Sequence, residues 1–377
     1  MSALGAGDDN SRFSVLFRAD GGEVIGLGHI MRCLAVAEVL HDWGIACLFA
    51  ASRLPESARR RLEQAGGAVT AVPGPPGGAD DRAATAALAA RAGAVVLDGY
   101  EFGPDFRAGV AAAGRPVLAF DDGAFAGPSP PGLLAADLVV NAAPGVAAPD
   151  YAAASPNARL LLGPTYAPLR RDIRQAASRP PRPMTDRRSV LVTFGGSDPL
   201  GLTVPCIARL GGSLPGGVRL VVAVGGANPR LGECRAAAAC WPGQVEVHHD
   251  TPAMGALMAD AGLAVAAAGG TVAELAALAV PSLLAVVAGN QAPAAQVLAR
   301  AEGGNGGGGI PPWCRVMDAR GGTEDAAARL AAAALSLWDA LPERAAMAAA
   351  ARGLVDGRGA ERIARALCDV GGWPGRG

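Results

Sequence analysis

The chain of 377 residues is about two and a half times the ~150 residues of a common domain, so two domains are expected. Apolar residues make up 51% and charged residues 18%, which suits a large core, and 33 basic against 34 acidic side chains leave none of the basic surface that general nucleic-acid binding needs. There is no lysine, every basic side chain being Arg apart from four His, which removes Schiff-base chemistry, pyridoxal phosphate anchoring and Walker-type phosphate binding.

In chain order, residues 13–18 predict a strand, followed by a glycine-rich turn through Gly26-Leu27-Gly28-His29. Apolar residues then recur at helical spacing up to 42, and Gly44 stops the helix. A strand at 45–50 and a helix at 56–65 follow, then a strand at 94–98, a helix at 106–113 and strands at 116–122 and 137–141. Nearly continuous apolar strands alternating with helices predict a parallel sheet covered on both faces. Proline-rich loops are expected at 73–76 and 128–131.

An arginine- and proline-rich stretch at 171–188 predicts a linker between an N-terminal domain at 12–170 and a C-terminal domain at 189–377. After it the opening theme returns, with a strand at 189–194, a glycine loop at 195–199 and a helix at 203–210. Strands are expected at 218–224, 244–247, 263–266 and 282–287, with a helix at 271–278. The tail from 324 to 370 is helical by composition and either closes the second domain or crosses back onto the first. The class is therefore α/β, with two Rossmann-type domains and parallel sheets.

In such sheets the loops at the carboxyl ends of the strands form the binding crevice. Those loops carry Asp20, Gly28, His29, Asp98, Tyr100, Asp121, Asp122 and Asn141 in the first half, and Gly195, Gly196, Ser197, Asp198, Gly269, Gly270 and Thr271 in the second. His29 stands at a predicted helix start, where the helix dipole disfavours imidazolium, so a neutral ring there could accept a proton. The bland reading is a histidine that packs the turn. Gly26 and Gly28 serve either a positive φ or the close approach of a ligand, and the segment lacks the full GxGxxG dinucleotide fingerprint. Backbone amides of the Gly195-Gly196-Ser197 loop could hold a diphosphate. Thr271 and Glu274 have the spacing of a capping box, a role that competes with any ribose contact by the same carboxylate.

No metal site is expected, because Cys234, Cys240, His248 and His249 match no common zinc spacing and the Asp121-Asp122 pair would need partners elsewhere. Seven cysteines without a CxxC pair read as reduced thiols in the cytoplasm, and the start reads as a small polar extension rather than a signal peptide. The apolar window 261–288 is broken by Glu274 and Pro281, so no membrane insertion is expected. No Gly-x-Ser-x-Gly elbow supports serine hydrolysis.

The runs Arg18-Ala19-Asp20 and Ile25-Gly26-Leu27-Gly28-His29-Ile30-Met31-Arg32-Cys33-Leu34 closely resemble the opening of the UDP-2,4-diacetamido-2,4,6-trideoxy-β-L-altropyranose hydrolases of bacterial pseudaminic acid biosynthesis. Further landmarks in the same order are Leu97-Asp98-Gly99-Tyr100, Phe120-Asp121-Asp122, Leu162-Gly163-Pro164-Thr165-Tyr166 with Leu169-Arg170, Phe194-Gly195-Gly196-Ser197-Asp198-Pro199, Gly269-Gly270-Thr271 with Glu274, and Asn290-Gln291. Gly99 and Gly289 depart from the family pattern, which usually has a polar or bulkier residue at the first and an acidic one at the second.

The resemblance implies a GT-B-like fold with the site in the interdomain cleft, and inverting hydrolysis of the C1–O bond of a UDP-linked diacetamido sugar, with no cofactor. His29 would activate water, and Asp20, Gly28, Asp98, Tyr100 and Asn290 would bind the sugar or orient the catalytic ring. Gly196, Ser197, Gly270, Thr271 and Glu274 would hold UDP, with Glu274 at the ribose. The alternatives are a GT-B glycosyltransferase with a UDP-amino-sugar donor and a non-catalytic UDP-sugar-binding protein.

Overall fold

A computed structural model describes residues 14–22, 26–122, 134–152, 155–302 and 312–373. The expected N-terminal extension, the 128–131 loop and the glycine-rich stretch at 303–309 lie outside them. The first sheet is built from β1 (Ser14–Ala19), β2 (Ala46–Ala51), β3 (Ala68–Ala71), β4 (Ala94–Asp98), β5 (Val117–Phe120), β6 (Leu138–Asn141) and β7 (Arg159–Leu162). Between and after them run α1 (Gly28–Asp42), α2 (Glu56–Gln64), α3 (Ala79–Ala89), α4 (Pro104–Ala111) and α5 (Arg171–Ala177). The second sheet comprises β8 (Ser189–Thr193), β9 (Arg219–Val224), β10 (Val245–His249), β11 (Ala261–Ala267), β12 (Ser282–Val286) and β13 (Cys314–Asp318). Its helices are α6 (Thr203–Leu210), α7 (Leu231–Ala239), α8 (Met254–Asp260), α9 (Thr271–Ala277), α10 (Ala292–Glu302), α11 (Thr323–Asp339), α12 (Leu341–Ala351) and α13 (Gly359–Gly371).

The strand orders are β3-β2-β1-β4-β5-β6-β7 and β10-β9-β8-β11-β12-β13. The pairings are parallel throughout, as strands apolar on both faces require. In each sheet the order reverses between the first strand and its neighbour, β1/β4 and β8/β11, and a crevice opens at such a switch point. The register sets Ala19 opposite Asp98, so the β1–α1 turn and the end of β4 are neighbours.

Helix α1 buries Ile30, Cys33, Leu34, Ala37 and Leu40 against the first sheet, where Phe17 and Phe49 stack at 4.8 Å. Of the two destinations open to the tail, α11 takes the second core, through Leu330, Ala334 and Leu337. α13 crosses back, and its Ile363, Ala364 and Leu367 join the first-sheet core. Among the described residues no helix is long and apolar enough to cross a membrane.

The stretch predicted as a linker packs in part against both halves. Ile173 of α5 shares a core with Met258 of α8, and the Arg171 amide donates to Glu38 Oε2 at 2.5 Å. Arg187 is 3% exposed because its guanidinium donates to the Ala279 carbonyl at 3.1 Å. The two halves also meet where Arg61 of α2 donates to the Asp250 carbonyl at 2.7 Å and to its Oδ1 at 2.6 Å.

Candidate active site

The sequence of α1 places His29 in the first helical turn, after Gly26 has taken a positive φ of 73° to bring the chain round. No side chain caps this helix, and the ring turns instead toward β4. His29 Nδ1 lies 2.5 Å from Asp98 Oδ1, with His29 5% and Asp98 0% exposed. An ionised carboxylate only accepts, so Nδ1 carries a proton and donates to it, and in a neutral ring that tautomer leaves the lone pair on Nε2. Burial alone would raise the Asp98 carboxyl. The Arg32 guanidinium and His29 outweigh it and hold Asp98 well below the usual carboxylate range.

Arg32 completes the group. Its Nε donates to Asp98 Oδ2 and its Nη2 to Oδ1, both at 2.5 Å, and Nη1 reaches Asp122 Oδ2 at 3.2 Å. The guanidinium also lies over the Phe120 ring at 5.1 Å. Burial and the Asp98 charge push the thiol of the adjacent Cys33 well up.

Tyr100 stands edge-on to the His29 ring, with centroids 4.7 Å apart. Its hydroxyl donates to Asp122 Oδ2 at 2.9 Å and accepts from Asn290 Nδ2 at 2.8 Å. Asn290 lies in the short turn Gly289–Gln291 after β12, so this bond runs from one domain to the other above the histidine. A Cβ at Gly99 would come within 2.8 Å of the Phe102 ring, which accounts locally for a glycine in that landmark. Deeper in the first domain Asp121 Oδ2 accepts from the Tyr151 hydroxyl at 2.7 Å, and Tyr151 accepts from Asn141 Nδ2 at 2.8 Å.

Asp20 has a different place from the one expected. It is 1% exposed, its Oδ1 accepts the amides of Ser52 and Arg53 at 2.7 Å each, and Oδ2 lies 2.7 Å from Arg18 Nη1. It therefore braces the loop after β2 against a buried arginine, while Asp98 is the group that orients His29.

In the second domain Gly195 takes a φ of 78°, and Gly196 lies so near the turn before Gly28 that an added Cβ would come within 3.2 Å of the Leu27 amide nitrogen. The two glycine loops thus face each other across the cleft. Ser197 is 9% exposed, and Asp198 accepts the Leu202 and Thr203 amides at 2.9 Å each. The Leu202 and Thr203 amides at the start of α6 are therefore already used.

The expected capping box is absent. Helix α9 has Gly270 as its N-cap with no side-chain bond, and Thr271 is already helical. Glu274 instead accepts from Arg170 through Oε1, at 3.2 Å from Nε and 3.1 Å from Nη2. That partner is 104 residues away, and the arginine pair replaces the local bond that the spacing suggested. Among the described residues no group of three or more His, Cys, Asp or Glu is placed to hold a metal ion.

The structure therefore gathers His29, Asp98, Tyr100 and Asn290, and separately Glu274 with the α9 start, while Asp20 belongs to the scaffold. Arg32 and Arg170 were missed as site residues. Arg32 follows His29 by three positions on one helix, so both share a face, and that spacing was a usable signal.

Among solved structures the chain is similar to MurG of Acinetobacter baumannii, with a TM-score of 0.57 and 18% identity, covering 94% of this chain and 99% of that one. It is similar to Anabaena HepE solved with UDP and glucose, with a TM-score of 0.56 and 16% identity over 94% and 98%. A glycosyltransferase from Rickettsia africae gives 0.55 and 9% over 95% and 98%. The fold is GT-B. No family model and no curated protein matches the chain. At these identities the likeness shows the GT-B fold, whose two Rossmann-like halves are the 7- and 6-stranded sheets described above.

Proposed function

We propose that this chain is a nucleotide-sugar enzyme that breaks the anomeric C1–O bond of a UDP-linked sugar with inversion. The observation that carries the reading is the buried His29–Asp98 pair at 2.5 Å, at the switch point of the first sheet. His29 Nε2 takes the proton of the incoming acceptor as its oxygen bonds to C1, and the electron pair of the breaking bond leaves on UDP. Asp98 stabilises the imidazolium that forms and fixes the tautomer that precedes it. Amides of the glycine loop at 195–197 offset the charge that develops on the diphosphate. An oxocarbenium-like transition state needs only a weak nucleophile, so an imidazole base suffices.

Two acceptors fit this chemistry. The solved structures favour a hydroxyl acceptor, and so glycosyl transfer, because one is itself a glycosyltransferase and another holds UDP with glucose. The landmark run through Arg18, His29, Asp98, Tyr100 and Asn290 favours water, and so hydrolysis. A base that is 5% exposed beneath Tyr100 also suits a small nucleophile.

The test is incubation with a panel of UDP-linked amino sugars, including the diacetamido-trideoxy altropyranose, following UDP and the anomer first formed. UDP release without an added acceptor, with an inverted free sugar, assigns hydrolysis. Release only when a hydroxyl acceptor is supplied assigns transfer. Retention of configuration, or binding without cleavage under either condition, overturns the reading.

A further inference from the structure

We propose that Arg170 is a positioning residue for the nucleotide, pinning one oxygen of Glu274 so that the other meets the ribose diol. The proposal rests on the UDP-sugar reading above and deepens it by naming what sets the ribose contact. Both Arg170 donors, Nε and Nη2, converge on Oε1 of Glu274, and among the described residues Oε2 has no protein partner. A carboxylate held in this way keeps a free acceptor in a fixed orientation, which two adjacent hydroxyls can share. The pair is well sheltered, with side chains 12% and 16% exposed, so it differs from a solvated surface bridge. Glu274 and Asp172 outweigh the burial that works against the Arg170 charge.

The position of Arg170 in the chain gives the contact a second consequence. It immediately precedes α5, the segment gripped by both halves. Arg171 donates to Glu38 and Asp42 on the α1 side, the latter at 2.7 Å. On the α8 side Asp172 Oδ2 accepts the Gly255 amide at 3.0 Å, and a Cβ at Gly255 would come within 2.4 Å of the Asp172 carbonyl oxygen. The guanidinium that sets Glu274 is thus anchored to the joint between the domains, and the ribose grip depends on how that joint is seated.

The experiment is calorimetric titration of UDP and of 2′-deoxy-UDP into the full chain, into Arg170→Gln, Arg170→Lys and Glu274→Gln, and into the Arg170→Gln/Glu274→Gln double variant. The wild type is expected to prefer UDP. Arg170→Gln is expected to weaken UDP by about tenfold or more, with a smaller loss for the deoxy nucleotide, so that the preference collapses. Glu274→Gln should give the same collapse, and the double variant should be no worse than either single change. Arg170→Lys should keep part of the preference, and it supplies the readout if the Gln variant does not fold. An unchanged UDP to deoxy-UDP ratio in the Arg170 variants, or an equal loss of both ligands, overturns the proposal. Failure of the wild type to bind either nucleotide would instead overturn the UDP-sugar reading on which it stands.

Discussion

Asp98→Asn is expected to lower turnover on a UDP-sugar by about 10³–10⁴-fold and to destabilise the fold by about 3–5 kcal/mol at neutral pH. Both losses follow from one carboxylate with two clients. Asp98 accepts from His29 Nδ1 and takes two further bonds from Arg32, in a position with no solvent exposure. An amide offers one acceptor oxygen where two are in use and sets its own N–H donors against either the ring or the guanidinium. The imidazole then loses the partner that fixes its tautomer, and Arg32 is left without its principal counter-charge.

The same group gives the expected acid sensitivity. Burial would raise Asp98, but Arg32 and His29 hold it well below the ordinary carboxylate value. A depressed carboxyl contributes stability that is fully present above its unfolded value, about 3.9, and is lost as pH falls through the folded value. Urea denaturation at pH 7 and near pH 3 checks this. Near pH 3, below the unfolded value but still above the folded one, the wild type should have lost only part of this contribution, and Asp98→Asn should show a smaller loss.

Arg18→Met is expected to cost about 3–5 kcal/mol of stability, the second large effect. Arg18 is 0% exposed and donates to both oxygens of Asp81, at 2.9 and 2.7 Å, with Asp20 at 2.7 Å on its other side. Its guanidinium also covers the Phe102 ring at 4.8 Å. Methionine keeps much of the volume and none of the charge. Asp81 would retain the Thr85 hydroxyl at 3.0 Å and the Gly77 amide at 2.8 Å, but the cation between two buried carboxylates would be gone. Urea unfolding measures the loss, and a change below about 0.5 kcal/mol would contradict the account.

The sequence was most readable where strands were buried on both faces and punctuated by glycine. β1, β4, β8, β11 and β12 followed from continuous apolar runs, and α1 from its spacing up to Gly44. β3 was missed because Ala68-Val69-Thr70-Ala71 is a short, partly exposed edge strand with little apolar bulk. β7 went unread because its three leucines follow an arginine and abut a glycine-proline turn, and β13 because charged residues interrupt it.

At the site, strand-end logic singled out His29 and Asp98, but their pairing depends on β1 lying beside β4, a contact that spans 69 residues. Asp20 takes partners other than the His29 ring for a related reason. Its neighbour Arg18 faces inward to Asp81, and that buried charge draws Asp20 into the scaffold. Glu274 matched a local motif and took a distant partner, because no periodicity reveals an arginine at a domain joint.

The most direct test compares single-turnover UDP release by the wild type and by His29→Asn on the same UDP-sugar, with UDP affinity measured alongside. The account predicts a fall of about 10²–10⁴-fold in the rate with UDP binding retained. An unchanged rate in the His29→Asn protein would contradict it.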